Sequence, residues 1–407
     1  MAKKYFERTV TPDISRLSKN FKALLITGPR QVGKTTLLKQ IAGKNRKTAD
    51  LSNETDKDLA QTDPKGFLDT YSPPVFIDEI QYAPGLFSYI RMLVDKSPKT
   101  GQIWMTGSQQ FELMEYVSDS LAGRIAIIEL QGFSIYERNN IGLKQKPFLP
   151  AATPAMQLKH KNANETFKII WQGAFPEVIN KNAKDRRYFY ESYTKTYIEH
   201  DVRKIINVRD ETTFRTFIKV TAARTAQELN LDDIAKDVGV APNTAKQWLS
   251  ILRTSGLVFL LYPFHKNITK RLTKTPKLYF LDTGLAAHLA GWTTPESLEA
   301  GISAGAFFET FAIGEIMKSY WHNGESPEVY FYRDSDGKEI DLLIYQNNKY
   351  YPIEIKKHST PKLSDIAAFT TFSKIPGINL GYGCEICLTP DLQPLSPTAT
   401  AISIWNI

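Results

Sequence analysis

Residues 24–41, LLITGPRQVGKTTLLKQI, constrain this chain more than any other stretch. An apolar run leads into a loop bounded by Gly28 and Gly33, and Lys34, Thr35 and Thr36 open a helical stretch. The pattern G-x-x-x-x-G-K-[ST] needs glycines so that the loop can curl, with backbone N–H groups pointing inward at phosphate oxygens. The following helix adds the positive end of its dipole. Gly28, Pro29, Arg30, Gln31, Val32, Gly33, Lys34, Thr35 and Thr36 therefore form a candidate cradle for ATP or ADP. Lys34 is expected to reach the β- and γ-phosphates, and the Thr35 hydroxyl to ligate Mg²⁺.

Such a loop needs a partner strand, and SPPVFIDEIQ at 72–81 supplies one. Its buried-type run ends in Asp78 and Glu79, acids at the carboxyl end of a parallel strand, where ligands bind in open α/β sheets. Asp78 is the expected Mg²⁺ partner, and Glu79 the group that orients and deprotonates water, which points to hydrolysis rather than binding alone. QIWMTGSQQ ends a further strand in Ser108 and Gln109, a polar tip expected between the two motifs, with Ser108 against the γ-phosphate. Arg124 in SLAGRIAIIEL reads either as an arginine finger, acting from a neighbouring copy in a homo-oligomer, or as a surface arginine at a strand start.

At 407 residues the chain exceeds one ordinary core, so two to four domains are expected. Its 42% hydrophobic and 23% charged residues are globular values. A net charge of +8 favours a polyanionic partner. The start MAKKYFERTV lacks the apolar stretch of a signal peptide, and no apolar run approaches the roughly 20 residues needed to span a bilayer. With two cysteines only, Cys384 and Cys387, the expected setting is reducing and cytoplasmic, without a membrane. Their CxxC spacing lacks a second pair or a nearby histidine in sequence, so they read as core thiols. Aromatics at 188–197, including Tyr188, Phe189, Tyr190, Tyr193 and Tyr197, also read as core.

Residues 228–264, ELNLDDIAKDVGVAPNTAKQWLSILRTSGLVFLLYPF, have the pattern of a helix-turn-helix followed by strands. Asn230 caps the first helix, Gly239 makes the turn, and Trp248, Leu249 and Leu252 face inward from the second. Asn243, Thr244, Lys246 and Gln247 then project from the early turns, where a recognition helix meets base edges. The acid-free run HKNITKRLTKTPKLYF follows, and Lys266, Lys270, Arg271, Lys274 and Lys277 there suit a wing on a phosphate backbone. Winged helices also dock proteins, so DNA and protein partners both stay open.

The late segment EIDLLIYQNNKYYPIEIKKHS, 339–359, places charge in strands that would otherwise be apolar. Two strands joined at Gln346, Asn347 and Asn348 bring Asp341 beside Glu354, while Lys356 shares a face with Glu354 through the period of two. Neighbouring carboxylates make an oxygen-rich site for Mg²⁺ or Mn²⁺, and a lysine beside them can position water and stabilise phosphate charge. Glu309, on an otherwise apolar helical stretch upstream, completes a nuclease-type set. A cross-strand ion pair on a half-exposed face is the plainer alternative.

Together, GPRQVGKTT, FIDEIQ, TGSQ, SLAGR, LYFLDTGLAAHL and EIDLLI…PIEIK resemble prokaryotic ATPases with an N-terminal AAA-type domain and a C-terminal domain of unknown function, DUF4143. The late segment is also similar to the PD-(D/E)xK nuclease fold, which implies Glu309 as its helix acid, Asp341 as its metal acid, and Glu354 and Lys356 as its E-x-K. The expectation is an α/β chain in four parts. A P-loop (RecA/AAA-like) parallel-sheet ATPase domain spans 1–141, a helical lid or linker 165–225, a winged helix 226–290, and an α+β restriction-endonuclease-like module 295–407. The expected function is a Mg²⁺-dependent ATPase coupled to DNA binding and metal-dependent DNA cleavage. The rivals are an ATP-switched regulator or scaffold with an inactive nuclease fold, and a signalling ATPase whose winged helix contacts protein.

Overall fold

The computed structural model describes residues 5–108, 110–154, 158–179, 181–198, 211–267 and 274–407. The chain divides into two compact units, and each is described by itself.

The first unit runs to Gln145 and includes residues 254–256 and 321–324. Its sheet contains β1 (Ala23–Thr27), β2 (Lys47–Asp50), β3 (Val75–Asp78), β4 (Ile103–Thr106) and β5 (Ile125–Glu129), all parallel, in the order β2-β3-β4-β1-β5. β1, β3 and β4 are buried at every position, as required of parallel strands covered on both faces. β4 lies between β1 and β3, so its polar tip sits between the glycine-rich loop and the paired acids. Gly33, in the left-handed region at φ 95°, leads into the helix Lys34–Ile41. Gly28 has φ 131°, and a Cβ there would meet the Leu130 carbonyl oxygen at 2.1 Å, so only glycine fits.

The second unit holds most of the rest of the chain. Helices Glu211–Ala223, Leu231–Val238 and Pro242–Thr254 accompany a small antiparallel sheet of β6 (Gln227–Glu228), β7 (Val258–Leu261) and β8 (Lys277–Phe280), ordered β6-β8-β7. The Asn230 side chain accepts from the Asp233 N–H, and Gly239 ends the same helix at φ 76°. Trp248, Leu249 and Leu252 are buried, and the edge of Trp248 packs on Phe214 and Phe217. Tyr190 and Tyr193 are buried, but Tyr188 is 52% exposed, which corrects its reading as core. Two residues from Tyr190 is about 200° around a helix, which turns Tyr188 to solvent.

A six-stranded sheet follows the long helix Ala304–Trp321. Its strands are β9 (Glu328–Arg333), β10 (Glu339–Gln346), β11 (Lys349–Ile355), β12 (Gly383–Cys387), β13 (Gln393–Ser396) and β14 (Ala399–Ser403), ordered β13-β14-β12-β11-β10-β9. β9, β10 and β11 form an antiparallel meander, and β12 returns parallel to β11. Asn347 and Asn348 make the two-residue turn with φ 50° and 61°. The β9–β10 register slips between Ile340 and Leu343, so Asp341 stands in a bulge, a device that re-aims a side chain. Among the described residues no helix is long and apolar enough to cross a membrane.

Candidate functional site

In the first unit the two acids and the glycine-rich loop converge. The Thr35 hydroxyl donates to Asp78 Oδ1 at 2.9 Å, and the Thr106 hydroxyl donates to the same oxygen. Burial, with Glu79 and Asp50 close by, raises the Asp78 carboxyl above its ordinary value, against the donations from Thr106 and Thr35. A divalent cation between Thr35 and Asp78 would relieve that cost, so this pair suits Mg²⁺. Lys34 Nζ donates to the carbonyls of Gly28 at 2.9 Å and Pro29 at 2.7 Å, folded onto its own loop within a side-chain swing of the phosphate cradle.

Glu79 adopts φ 55°, a left-handed conformation that costs a non-glycine residue about 1–3 kcal/mol. Its N–H donates to Thr106 Oγ1 at 3.1 Å, and its carboxylate accepts from Gln81 and from Ser108 Oγ, the latter at 3.2 Å. The strained residue is thus aimed at the β4 tip. Gln109 lies outside the described residues. Arg124 forms a two-pronged pair with Asp95, 2.5 Å from Nε and 3.2 Å from Nη2.

A residue without any motif holds the loop from behind. Arg8 is buried and donates to the carbonyls of Val32 (2.9 Å) and Gln131 (2.8 Å), while its Nε pairs with the fully buried Glu137 at 3.0 Å.

The second unit brings Glu309, Asp341, Glu354 and Lys356 to one cleft of about 560 Å³. The β10–β11 register sets Leu342 against Ile353, so its next position sets Asp341 against Glu354. Asp341 Oδ2 accepts from the Ile355 N–H at 2.8 Å, and Lys356 Nζ lies 2.5 Å from Glu354 Oε1. Glu354 Oε2 is buried with no hydrogen-bond partner among the described residues. Burial and Asp341 push the Glu354 carboxyl up to about 9 despite Lys356. Burial and Asp341 also raise Glu309 to about 7 against Lys277, and burial raises Asp341. An orphaned buried oxygen among carboxylates that resist ionisation is the environment a divalent cation satisfies.

One residue expected on a wing is corrected. Lys277 is 6% exposed, and its ammonium lies inside the cleft, pairing with Glu309 at 3.1 Å, with Glu339, and with Asp341 at 3.7 Å. Tyr279, two positions along β8 and on the same face, donates to Glu309 at 2.6 Å. Within a basic run, Lys277 was indistinguishable from Lys266 and Lys274, which are exposed; the alternation of β8 turns it inward. Asn243, Lys246 and Gln247 are exposed on their helix with Thr244 partly so, and Lys274 is exposed. Lys270 and Arg271 lie outside the described residues.

Three family models match parts of the chain. A family described as an AAA domain matches residues 20–139, a domain of unknown function (DUF8612) matches 164–296, and a domain of unknown function (DUF4143) matches 304–407. Two uncharacterized proteins, from Mycobacterium tuberculosis and Mycobacterium bovis, are each 29% identical over 342 residues, covering 84% of this chain and 71% of theirs. A Walker-type ATPase of Pyrococcus abyssi covers 71% of this chain and 97% of its own at 13% identity, with a TM-score of 0.47. The chain carries an N-terminal P-loop ATPase domain of the AAA type and a C-terminal DUF4143 domain.

Proposed function

We propose that this protein is a Mg²⁺-dependent ATPase that contacts DNA through a winged helix and cleaves it at a PD-(D/E)xK-like centre. The observation that carries the cleavage is the convergence of Glu309, Asp341, Glu354 and Lys356 on one cleft, with Glu354 Oε2 left without a partner among the described residues. The helix–strand–helix–helix–strand–strand order from Glu211 to Phe280, with polar side chains exposed on the third helix, supports the winged helix.

In the ATPase half, Lys34 leaves the Gly28 and Pro29 carbonyls for the β- and γ-phosphate oxygens. Thr35 and Asp78 would hold Mg²⁺, which would supply positive charge beside those oxygens. Glu79, positioned by Gln81 and Ser108, draws a proton from the attacking water. In the cleft, Asp341 and Glu354 would hold Mg²⁺ or Mn²⁺, which would polarise a phosphodiester and supply a metal-activated water. Lys356 would sit beside the scissile phosphate and offset the charge building on it.

A second reading, an ATP-switched DNA- or protein-binding regulator with an inactive nuclease fold, is favoured by Lys277, whose ammonium already takes part of the carboxylate set. The two readings separate in one assay. Asp341→Ala and Lys356→Ala are expected to abolish Mn²⁺-dependent cleavage while leaving ATP turnover intact. Absence of cleavage of single- and double-stranded DNA under every metal and nucleotide condition would leave the second reading standing. For the ATPase, Lys34→Ala removes nucleotide binding, and Glu79→Gln binds ATP without turning it over. Wild-type turnover in Glu79→Gln would remove Glu79 from the role of base.

A further inference from the structure

The alternation of β12 divides its two cysteines. Cys384 and Cys387 are an odd number of positions apart, so they face opposite sides of the sheet and do not act as a pair. Cys387 instead shares its face with Glu385, which stands in register beside Glu354 of β11. Beyond the end of β11 the backbone continues alongside β12, and the His358 carbonyl accepts from the Leu388 N–H at 2.8 Å. That pairing carries the imidazole to Glu385 and Cys387. His358, Glu385 and Cys387 each offer a donor atom, and these atoms all lie within 4.8 Å of one another. From the turn Leu363–Ile366, Asp365 adds a fourth group: its Oδ2 is 3.3 Å from His358 Nε2, and Glu385 Oε1 is 3.5 Å from the same nitrogen.

Glu385 supplies the independent observation. It is 0% exposed, and neither carboxylate oxygen has a hydrogen-bond partner among the described residues. Lys356, the neighbouring cation, is paired with Glu354. A carboxylate sealed from water, with only the His358 imidazole and the Cys387 thiol beside it, is among the costliest groups a fold can carry, unless a cation meets it.

We propose that His358, Asp365, Glu385 and Cys387 bind a borderline transition-metal cation, with Zn²⁺ the best match. Tetrahedral bonds of about 2.0–2.3 Å place ligand atoms roughly 3.3–3.8 Å apart, the spacing seen around His358 Nε2. An imidazole and a thiolate select against Mg²⁺ and Ca²⁺, which sets this site apart from the all-oxygen pair Asp341 and Glu354. The cation ties the segment after β11, the Asp365 turn and β12 together, close to Glu354 near the end of β11 and Lys356 just beyond it. His358 is only half-buried, so a cation can reach the site from solvent.

The test is Co²⁺ titration of the full chain after chelator dialysis, prepared without a metal-affinity tag. One Co²⁺ per chain with the near-ultraviolet band of thiolate-to-cobalt charge transfer is expected, apart from any bound without that band at the all-oxygen sites, and Zn²⁺ displaces it. The band disappears in Cys387→Ser and persists in Cys384→Ser. It also persists in Asp341→Ala, which separates this site from the neighbouring cleft. His358→Ala, at a half-exposed position that does not threaten folding, is expected to weaken Co²⁺ binding by at least about 10–100-fold. Absence of the charge-transfer band in the wild-type chain overturns the proposal, as does unchanged affinity in His358→Ala.

Discussion

Each unit buries a carboxylate among charges, and the two are treated in opposite ways. Glu137 accepts at Oε1 from Arg8 Nε (3.0 Å) and the Thr9 N–H (2.9 Å), and at Oε2 from the Ser134 N–H (3.1 Å), with His322 Nδ1 3.4 Å away. Complete burial alone would raise its carboxyl, but Arg8 and His322 hold it well below the usual carboxylate range. Glu354 is almost as buried, at 4% exposure, yet one of its oxygens has no donor among the described residues and its carboxyl is pushed up to about 9. A satisfied buried carboxylate is a structural joint: here it fixes the arginine that grips the Val32 carbonyl of the glycine-rich loop. An unsatisfied one costs stability, and a fold keeps such a group where something else is to be bound.

The largest effect expected from breaking this contrast is in Glu137→Gln. Removing one partner strands the Arg8 guanidinium in a buried site, which costs about 3–5 kcal/mol and is readable as a fall in the denaturant midpoint. A change below about 1 kcal/mol would dissolve the contrast, since Glu137 would then be no better satisfied than Glu354.

Glu354→Gln is expected to act with the opposite sign. Burial, then Asp341, push the folded carboxyl up to about 9 from its ordinary value of 4.5, so the folded chain holds a proton that the unfolded chain gives up. Stability from this group is therefore full at low pH and is lost as pH rises toward 9. A neutral amide removes that loss, and Lys356, 40% exposed, stays hydrated without its partner. In chelator, the Tm of Glu354→Gln at pH 9 should exceed that of wild type by several degrees, at about 2–4 °C per kcal/mol, and the two should converge near pH 5. A lower Tm for the variant at pH 9 would mean the ionised carboxylate is welcome in the apo fold.

The parts legible in sequence were those whose chemistry is local. The glycine-rich loop, Asp78 and Glu79 are fixed by short-range backbone demands, and so is the Asn347–Asn348 turn that sets Asp341 beside Glu354. Arg8 carried no signal, because a lone arginine near the start becomes meaningful only when Val32, Gln131 and Glu137 surround it. Lys277 and Glu339 were missed for the same reason: the contact between them joins β8 to β10 across the fold. His358 lies far from Cys387 in sequence, so spacing rules for paired cysteines could not find the cluster that β11–β12 pairing creates. The bulge at Asp341 is likewise a property of pairing, invisible in a strand read alone.

The smallest expected effect concerns Lys277, which makes the acidic cleft resemble the satisfied cluster in part. Burial alone would lower its ammonium, but Glu309, Asp341 and Glu339 raise it above its ordinary value, so it stays charged at any working pH. A divalent cation at Asp341 and Glu354 must share Asp341 with that charge or displace it. Lys277→Met keeps the side chain's bulk and removes the competitor, so Mn²⁺ affinity measured by calorimetry should rise about tenfold, equivalent to ~1.4 kcal/mol. The metal-free variant should also melt lower, because Glu309, Glu339 and Asp341 then face one another without a cation. Unchanged Mn²⁺ affinity would place the cation away from Asp341, and the lysine would then complete a structural cluster of the Glu137 kind.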